Sequence, residues 1–87
     1  MELSLKGKVA LVTGASRGIG KAIASHFAAS GAKVMISSRK EDALRTAAKE
    51  MSGDVEVFAA NAGDVAAGNA CVMATIERFG ALDILVN

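Results

Sequence analysis

The chain contains no proline, no tryptophan and no tyrosine, and its only aromatic residues are three phenylalanines. Without proline, glycine is the one strong punctuation mark left to the backbone, so turns have to be read from glycine positions. Without indole or phenol rings, the core has to come from Val, Ile, Leu, Ala and Met. A single cysteine, Cys71, excludes an intrachain disulfide and suits a reducing compartment. A single histidine, His26, has no acid or cysteine at metal-ligand spacing and no Ser–His–Asp arrangement, so it reads as a surface or packing residue. No apolar run approaches the ~18 residues of a membrane span. The N-terminal stretch "MELSLKGKVALVTG" lacks the apolar core and small-residue cleavage site of a signal peptide. A formal net charge of +1 gives no reason to expect nucleic acid or an acidic membrane surface as a partner. The expectation is a cytoplasmic chain that binds neither.

What is present is an alternating pattern. The 87 residues are 52% hydrophobic and 22% charged, the balance of one small globular domain. "KVALVT" (Lys8–Thr13) is a short, nearly continuous apolar run, which predicts a strand covered on both faces. A helix is expected from about Gly18 to Ser30, with Ile19, Ile23 and Phe27 on one face and Gly31 just past its end. "KVMISS" (Lys33–Ser38) reads as a second strand. Residues 39–51 follow as a helix with Leu44, Ala47, Ala48 and Met51 on one side. "SGD" breaks that helix, and "VEVFAA" (Val55–Ala60) is the third strand. Asp64 reads as the N-cap of a third helix running to Phe79, with Val65, Val72, Ile76 and Phe79 on its buried side and Gly80 ending it. "LDILV" (Leu82–Val86) is the fourth strand. Met35, Met73 and Cys71 read as packed residues, and Asp83 as a cap or a partner for a neighbour. The order β-α-β-α-β-α-β predicts an open parallel α/β sheet joined by right-handed crossovers.

The first strand runs directly into "TGASRGIG" (Thr13–Gly20), which opens the first helix. A glycine-rich turn there lies at the carboxyl edge of a parallel sheet, where a helix N-terminus offers unpaired N–H groups to a phosphate. Gly14 suits the tight turn, Gly18 the approach of backbone to a pyrophosphate, and Gly20 close packing of helix on strand. The spacing, G-x-x-x-G-x-G, departs from the generic G-x-G-x-x-G fingerprint.

"TGASRGIG", the preceding "LKGKVALV" and the terminal "LDILVN" together resemble the short-chain dehydrogenase/reductase family, in particular the N-terminal portion of its 3-oxoacyl-reductase-like members. The resemblance covers essentially the whole chain. It implies a Rossmann fold with strand order 3-2-1-4, a nicotinamide dinucleotide, and hydride transfer between that cofactor and a carbonyl or alcohol. It places cofactor contacts at Gly14, Ser16, Arg17, Gly18, Ile19, Gly20, Ser38, Arg39, Asn61 and Ala62. Ile19 also fits an ordinary core position by its spacing with Ile23.

An acid at the end of the second strand usually holds the ribose 2′-hydroxyl of NAD. That place reads "ISSRK" here, with Ser38 where the acid would stand and Arg39 after it. A carboxylate would repel a 2′-phosphate, whereas Arg39, helped by Arg17 in the glycine turn, can bond one. The pattern favours NADP over NAD. Glu41 has another use, because Ser38-x-x-Glu41 matches a capping box. Asn61 stands where the family often has an Asp facing adenine. Its carboxamide can both accept and donate.

The family's proton chemistry uses a Tyr-x-x-x-Lys pair and a Ser. With no tyrosine, none of these 87 residues can form that pair, so no catalytic residue is assigned. In the expected strand order, the fourth strand is a bare apolar edge. The principal reading is therefore residues 1–87 as the NADP-binding half of a Rossmann domain, not catalytic alone, with a small carbonyl or alcohol substrate in the complete protein. Asn87 reads as a strand-end support. A free-standing nucleotide-binding or interaction module, and one half of a split enzyme, stay open as alternatives.

Overall fold

In a computed structural model, residues 4–61 and 63–87 are described. The elements are β1 (Val9–Thr13), α1 (Gly18–Ala29), β2 (Lys33–Ser38), α2 (Glu41–Lys49), β3 (Asp54–Ala59), α3 (Val65–Phe79) and β4 (Ile84–Val86). The four strands form one sheet in the order β3-β2-β1-β4, with every neighbouring pair parallel. This is the Rossmann-type order that the alternating pattern and the resemblance lead to.

Strand alternation sorts the core between two faces. Val12, Val34 and Ile36 point to one face, where they pack with Ala24 and Ala28 of α1 and Leu44 and Ala47 of α2. Leu11 and Met35 point to the other face and meet Cys71 of α3, with Phe58, Val72 and Phe79 around them. Residues Leu11, Met35 and Glu56 stand in register across the three strands, and Leu11 stands opposite Leu85 on β4.

Helix ends follow the residues that suit them. Asp64 caps α3, its carboxylate accepting from the Ala67 N–H at 3.2 Å. Gly80 closes the same helix in the left-handed region at φ 87°, and its N–H reaches the Ile76 carbonyl. β4 is shorter than expected. Asp83 sits outside it, accepting from the Val9 N–H at 2.8 Å through Oδ2 while donating its own N–H to the Val9 carbonyl at 2.9 Å.

The expected capping box at Ser38 does not form. Ser38 is still in the ladder, paired with Ala59, and α2 begins at Glu41 with Lys40 as its N-cap and no side-chain cap. A strand residue in an extended ladder lies too far upstream to reach the first helical N–H groups.

The buried faces of the helices also differ from expectation. Ile19 is 81% exposed, Val65 80% and Met73 63%, and Ile76 is exposed as well. The residues that face the sheet are Ala24 and Ala28 in α1, and Cys71 and Thr75 in α3. A helix lying close on a sheet takes small side chains at the line of contact and leaves bulkier apolar ones at its flanks. Ile23 and Phe27 occupy such half-buried flanks.

Candidate functional site

The carboxyl ends of β1 and β2 set the site. β1 finishes at Thr13, and Gly14 turns the chain at φ 63°. The Ala15 N–H bonds the Ser37 carbonyl at 3.1 Å, which ties the turn to the end of β2. Gly18 opens α1 at φ 65°, again in the left-handed region where only glycine is at ease. Gly20 answers a different demand. A Cβ there would collide with the Gly14 carbonyl, so the helix can lie this close to the turn only with hydrogen at that position.

The N-terminus of α1 is open. Arg17 occupies the N-cap without a side-chain cap bond, and the first turn holds no acid. The opening N–H groups therefore point outward with the positive end of the helix dipole and no carboxylate to compete.

Beside this turn lies a cavity of about 490 Å³, within the size range of small-molecule clefts. Its wall includes Thr13 and Gly14 from β1 and the turn, Ser37, Ser38 and Arg39 from the end of β2, and Asn61 after β3. Among the described residues, Arg39 is the only charged one in that lining, and no acid joins it. Asn61 bends back on itself, its Oδ1 accepting from the Gly63 N–H at 2.9 Å. That engages the oxygen and leaves the amide N–H groups as the side chain's donors. The Ser38 hydroxyl oxygen is buried and has no hydrogen-bond partner among the described residues.

Of the residues the sequence singled out, Gly14, Ser38, Arg39 and Asn61 come together in this wall. Ser16, Arg17, Gly18, Ile19 and Gly20 form the adjoining turn and helix start rather than the wall. Ala62 lies outside the described residues. Ile19 is not the core residue its spacing allowed, since its side chain stands in the open at the head of α1.

Other parts of the wall were not anticipated. Gly68, Asn69, Cys71 and Val72 bring α3 to the cavity, and Leu85 and Asn87 bring β4. The single Thr13 hydroxyl hydrogen has the Val86 carbonyl at 3.2 Å and Asn87 Oδ1 at 3.3 Å as its acceptors, so Asn87 does stand at a strand end. Burial pushes the Cys71 thiol up from its ordinary pKa, with a hydrogen bond to Ser37 working against the shift. A thiol so held is a packed group rather than a nucleophile. Among the described residues, no group of three His, Cys, Asp or Glu side chains is placed to hold a metal ion. No helix among them is long and apolar enough to cross a membrane.

Known proteins resemble the chain in sequence and in fold. The chain is 39% identical to a sorbitol dehydrogenase of Cereibacter sphaeroides over 98% of its own length and 33% of that protein. A crystal structure of a hydroxysteroid dehydrogenase from Escherichia coli superposes with a TM-score of 0.94 at 36% identity, covering 99% of this chain and 36% of the other. A 3-ketoacyl-(acyl-carrier-protein) reductase from Brucella melitensis, solved with NADH, superposes with a TM-score of 0.89 at 41% identity, covering 94% of this chain and 34% of that one. The chain thus spans about a third of the length of the curated relatives it matches. The family model described as short chain dehydrogenase matches residues 8–87, and with the glycine turn and strand order above, the chain belongs to the short-chain dehydrogenase family.

Proposed function

We propose that these residues dock the adenosine and pyrophosphate end of NADP(H) for an oxidoreductase that moves hydride between the nicotinamide and a carbonyl or alcohol substrate. The observation that carries this reading is the cavity at the carboxyl end of the sheet, bordered by an uncapped helix N-terminus and carrying one charge, the Arg39 cation. The pyrophosphate would lie along Gly14–Gly20, against the first N–H groups of α1. Ser16 and Arg17 would flank it, and Ile19, exposed at the head of the helix, would offer it an apolar contact.

The 2′-phosphate would meet Arg39 and Ser38. The fit has a physical basis in the orphaned Ser38 hydroxyl, since a buried polar group left unpaired costs about 1–3 kcal/mol. A turn about χ1 towards a bound phosphate would give it an acceptor. Asn61, with its amide N–H groups available, would donate to ring nitrogens of adenine. The relative from Brucella melitensis carries NADH, so the preference for the phosphorylated cofactor rests on this chain's own residues: Ser38 in place of an acid, Arg39, and Arg17 in the glycine turn. Nicotinamide supplies the hydride when bound. The Tyr-x-x-x-Lys pair that the resemblance assigns to proton transfer is not within a chain that has no tyrosine.

The test is ligand-dependent thermal stability, because a ligand that binds the folded state raises the melting temperature. NADPH is expected to raise it more than NADH does at equal concentration. Arg39→Asp is expected to weaken NADPH binding by about tenfold or more and to reverse the preference, since a charge-assisted bond is replaced by repulsion. Equal protection by the two cofactors, or an unchanged preference in the variant, would make Arg39 an ordinary surface residue.

A further inference from the structure

The two edges of the sheet are built differently. Among the described residues, β4 ends one side and β3 the other. β4 has three residues, too few to offer much of a template to another strand. β3 has six, among them Val55, Val57 and Phe58, all strong strand formers. Ala60 donates its N–H inward to the Ser38 carbonyl at 2.8 Å, so by alternation Val55, Val57 and Ala59 turn their N–H groups to the open side. A longer edge with free N–H groups invites pairing with a second chain.

One residue breaks the apolar pattern. Glu56 stands in register with Met35, and Met35 with Leu11, both buried in the layer under α3. It is the only charged residue between Asp54 and Asp64. Its Oε1 accepts from Arg78 Nε at 3.0 Å, so the last turn of α3 reaches across to the edge strand. Lys33 and Asp54 join the pair around a cavity of about 370 Å³ at this corner. Exposed ion pairs add little to stability, so the attraction to Arg78 does not account for a carboxylate on this row. Neither Glu56 nor Arg78 lines the cavity at the other end of the sheet.

We infer that Glu56 closes the β3 edge to strand addition and so keeps a second copy of this chain off that side of the sheet. A strand added there would lie about 4.8 Å away and extend the Leu11–Met35–Glu56 row by one side chain. The new neighbour would strip water from the carboxylate and from Arg78. An antiparallel copy centred on Glu56 would also set two carboxylates opposite each other on one face, a repulsive arrangement. Arg78 fixes the carboxylate at this face.

The experiment compares the unchanged chain with Glu56→Val and Glu56→Gln by sedimentation velocity over a range of concentrations. Glu77→Val, which removes the same charge from an exposed position of α3, is the control. Amide hydrogen exchange at Val55, Val57 and Ala59 locates any contact. Glu56→Val is expected to self-associate about tenfold or more tightly than the unchanged chain, because it removes the charge and adds a β-branched side chain. Those three amides are expected to gain protection as its concentration rises. Glu56→Gln, which keeps the shape, is expected to shift association in the same direction by a smaller factor, and Glu77→Val to stay within about twofold of the unchanged chain. Equal association in the unchanged chain and both Glu56 variants would overturn the inference. So would an equal gain in Glu77→Val, or tighter association without protection at the three amides. Protection that rises with concentration in the unchanged chain would show the edge already open, and would overturn it as well.

Discussion

On one face of the sheet, α1 and α2 seal a continuous cluster in which Val12, Val34, Ile36, Leu44 and several alanines are buried. On the other, α3 alone covers Leu11 and Met35, with Cys71 as the only fully buried residue it contributes to that cluster. The cavity opens on this second, thinly covered side, and Leu85 beside it is 53% exposed. The contrast separates two duties. The first face is closely packed behind the glycine turn, and among the described residues the second leaves space beside the strand ends. Ligand sites commonly occur where packing is incomplete at the carboxyl edge of such sheets.

The sharpest way to break this comparison is truncation on both faces. Leu44→Ala should destabilise the fold by about 2–5 kcal/mol, because it empties a fully buried site, while Leu85→Ala should cost under about 1 kcal/mol. Chemical denaturation of the two variants checks it, and equal losses would mean that the faces share the load. Next in size is Gly20→Ala. Its methyl group would press on the Gly14 carbonyl, so a loss of about 1–3 kcal/mol is expected, together with weaker NADPH binding as the turn shifts. If stability and binding both hold, the close approach of helix and turn is not needed.

The smallest effect concerns pH on the second face. Burial raises the Cys71 thiol pKa in the folded state, so folding favours the protonated form. That contribution is complete below the unfolded thiol's ordinary value and is lost as pH climbs through the raised folded value. Stability should therefore fall on the alkaline side, and Cys71→Ala should flatten that fall while costing about 1 kcal/mol near neutrality. An alkaline limb that is the same in both proteins would assign it to other groups.

Much of this fold could be read from residues in order. Short β-rich apolar runs bounded by glycine mark the strands, and Asp64 and Gly80 mark the ends of α3, because each answers a local backbone demand. The glycine turn was legible for the same reason. What could not be read was which side chains face inward. Hydropathy favours Ile19, Val65, Met73 and Ile76, yet the line of contact selects Ala24, Ala28, Cys71 and Thr75. Size at a helix–sheet contact is a property of the assembled layers. The α3 wall of the cavity was hidden likewise, since nothing local in "AAGNA" says that it will face the end of β2. Ser38 shows the opposite error, where a local motif suggested a cap that the strand ladder overrode.

β4 has only three residues in its ladder, and it is fastened at both ends by groups outside that ladder. Asp83 holds the start of β1 across a separation of 74 residues, and the Thr13 hydroxyl holds the far end. Such distant pairing must wait until the intervening chain has taken shape, because closing a long loop is slow relative to local turns and helices. The strand that completes the cavity is thus expected to be the last to arrive. A chain whose β4 had not yet paired would keep the glycine turn and lack the β4 wall, so the cleft becomes whole only when the two distant segments meet.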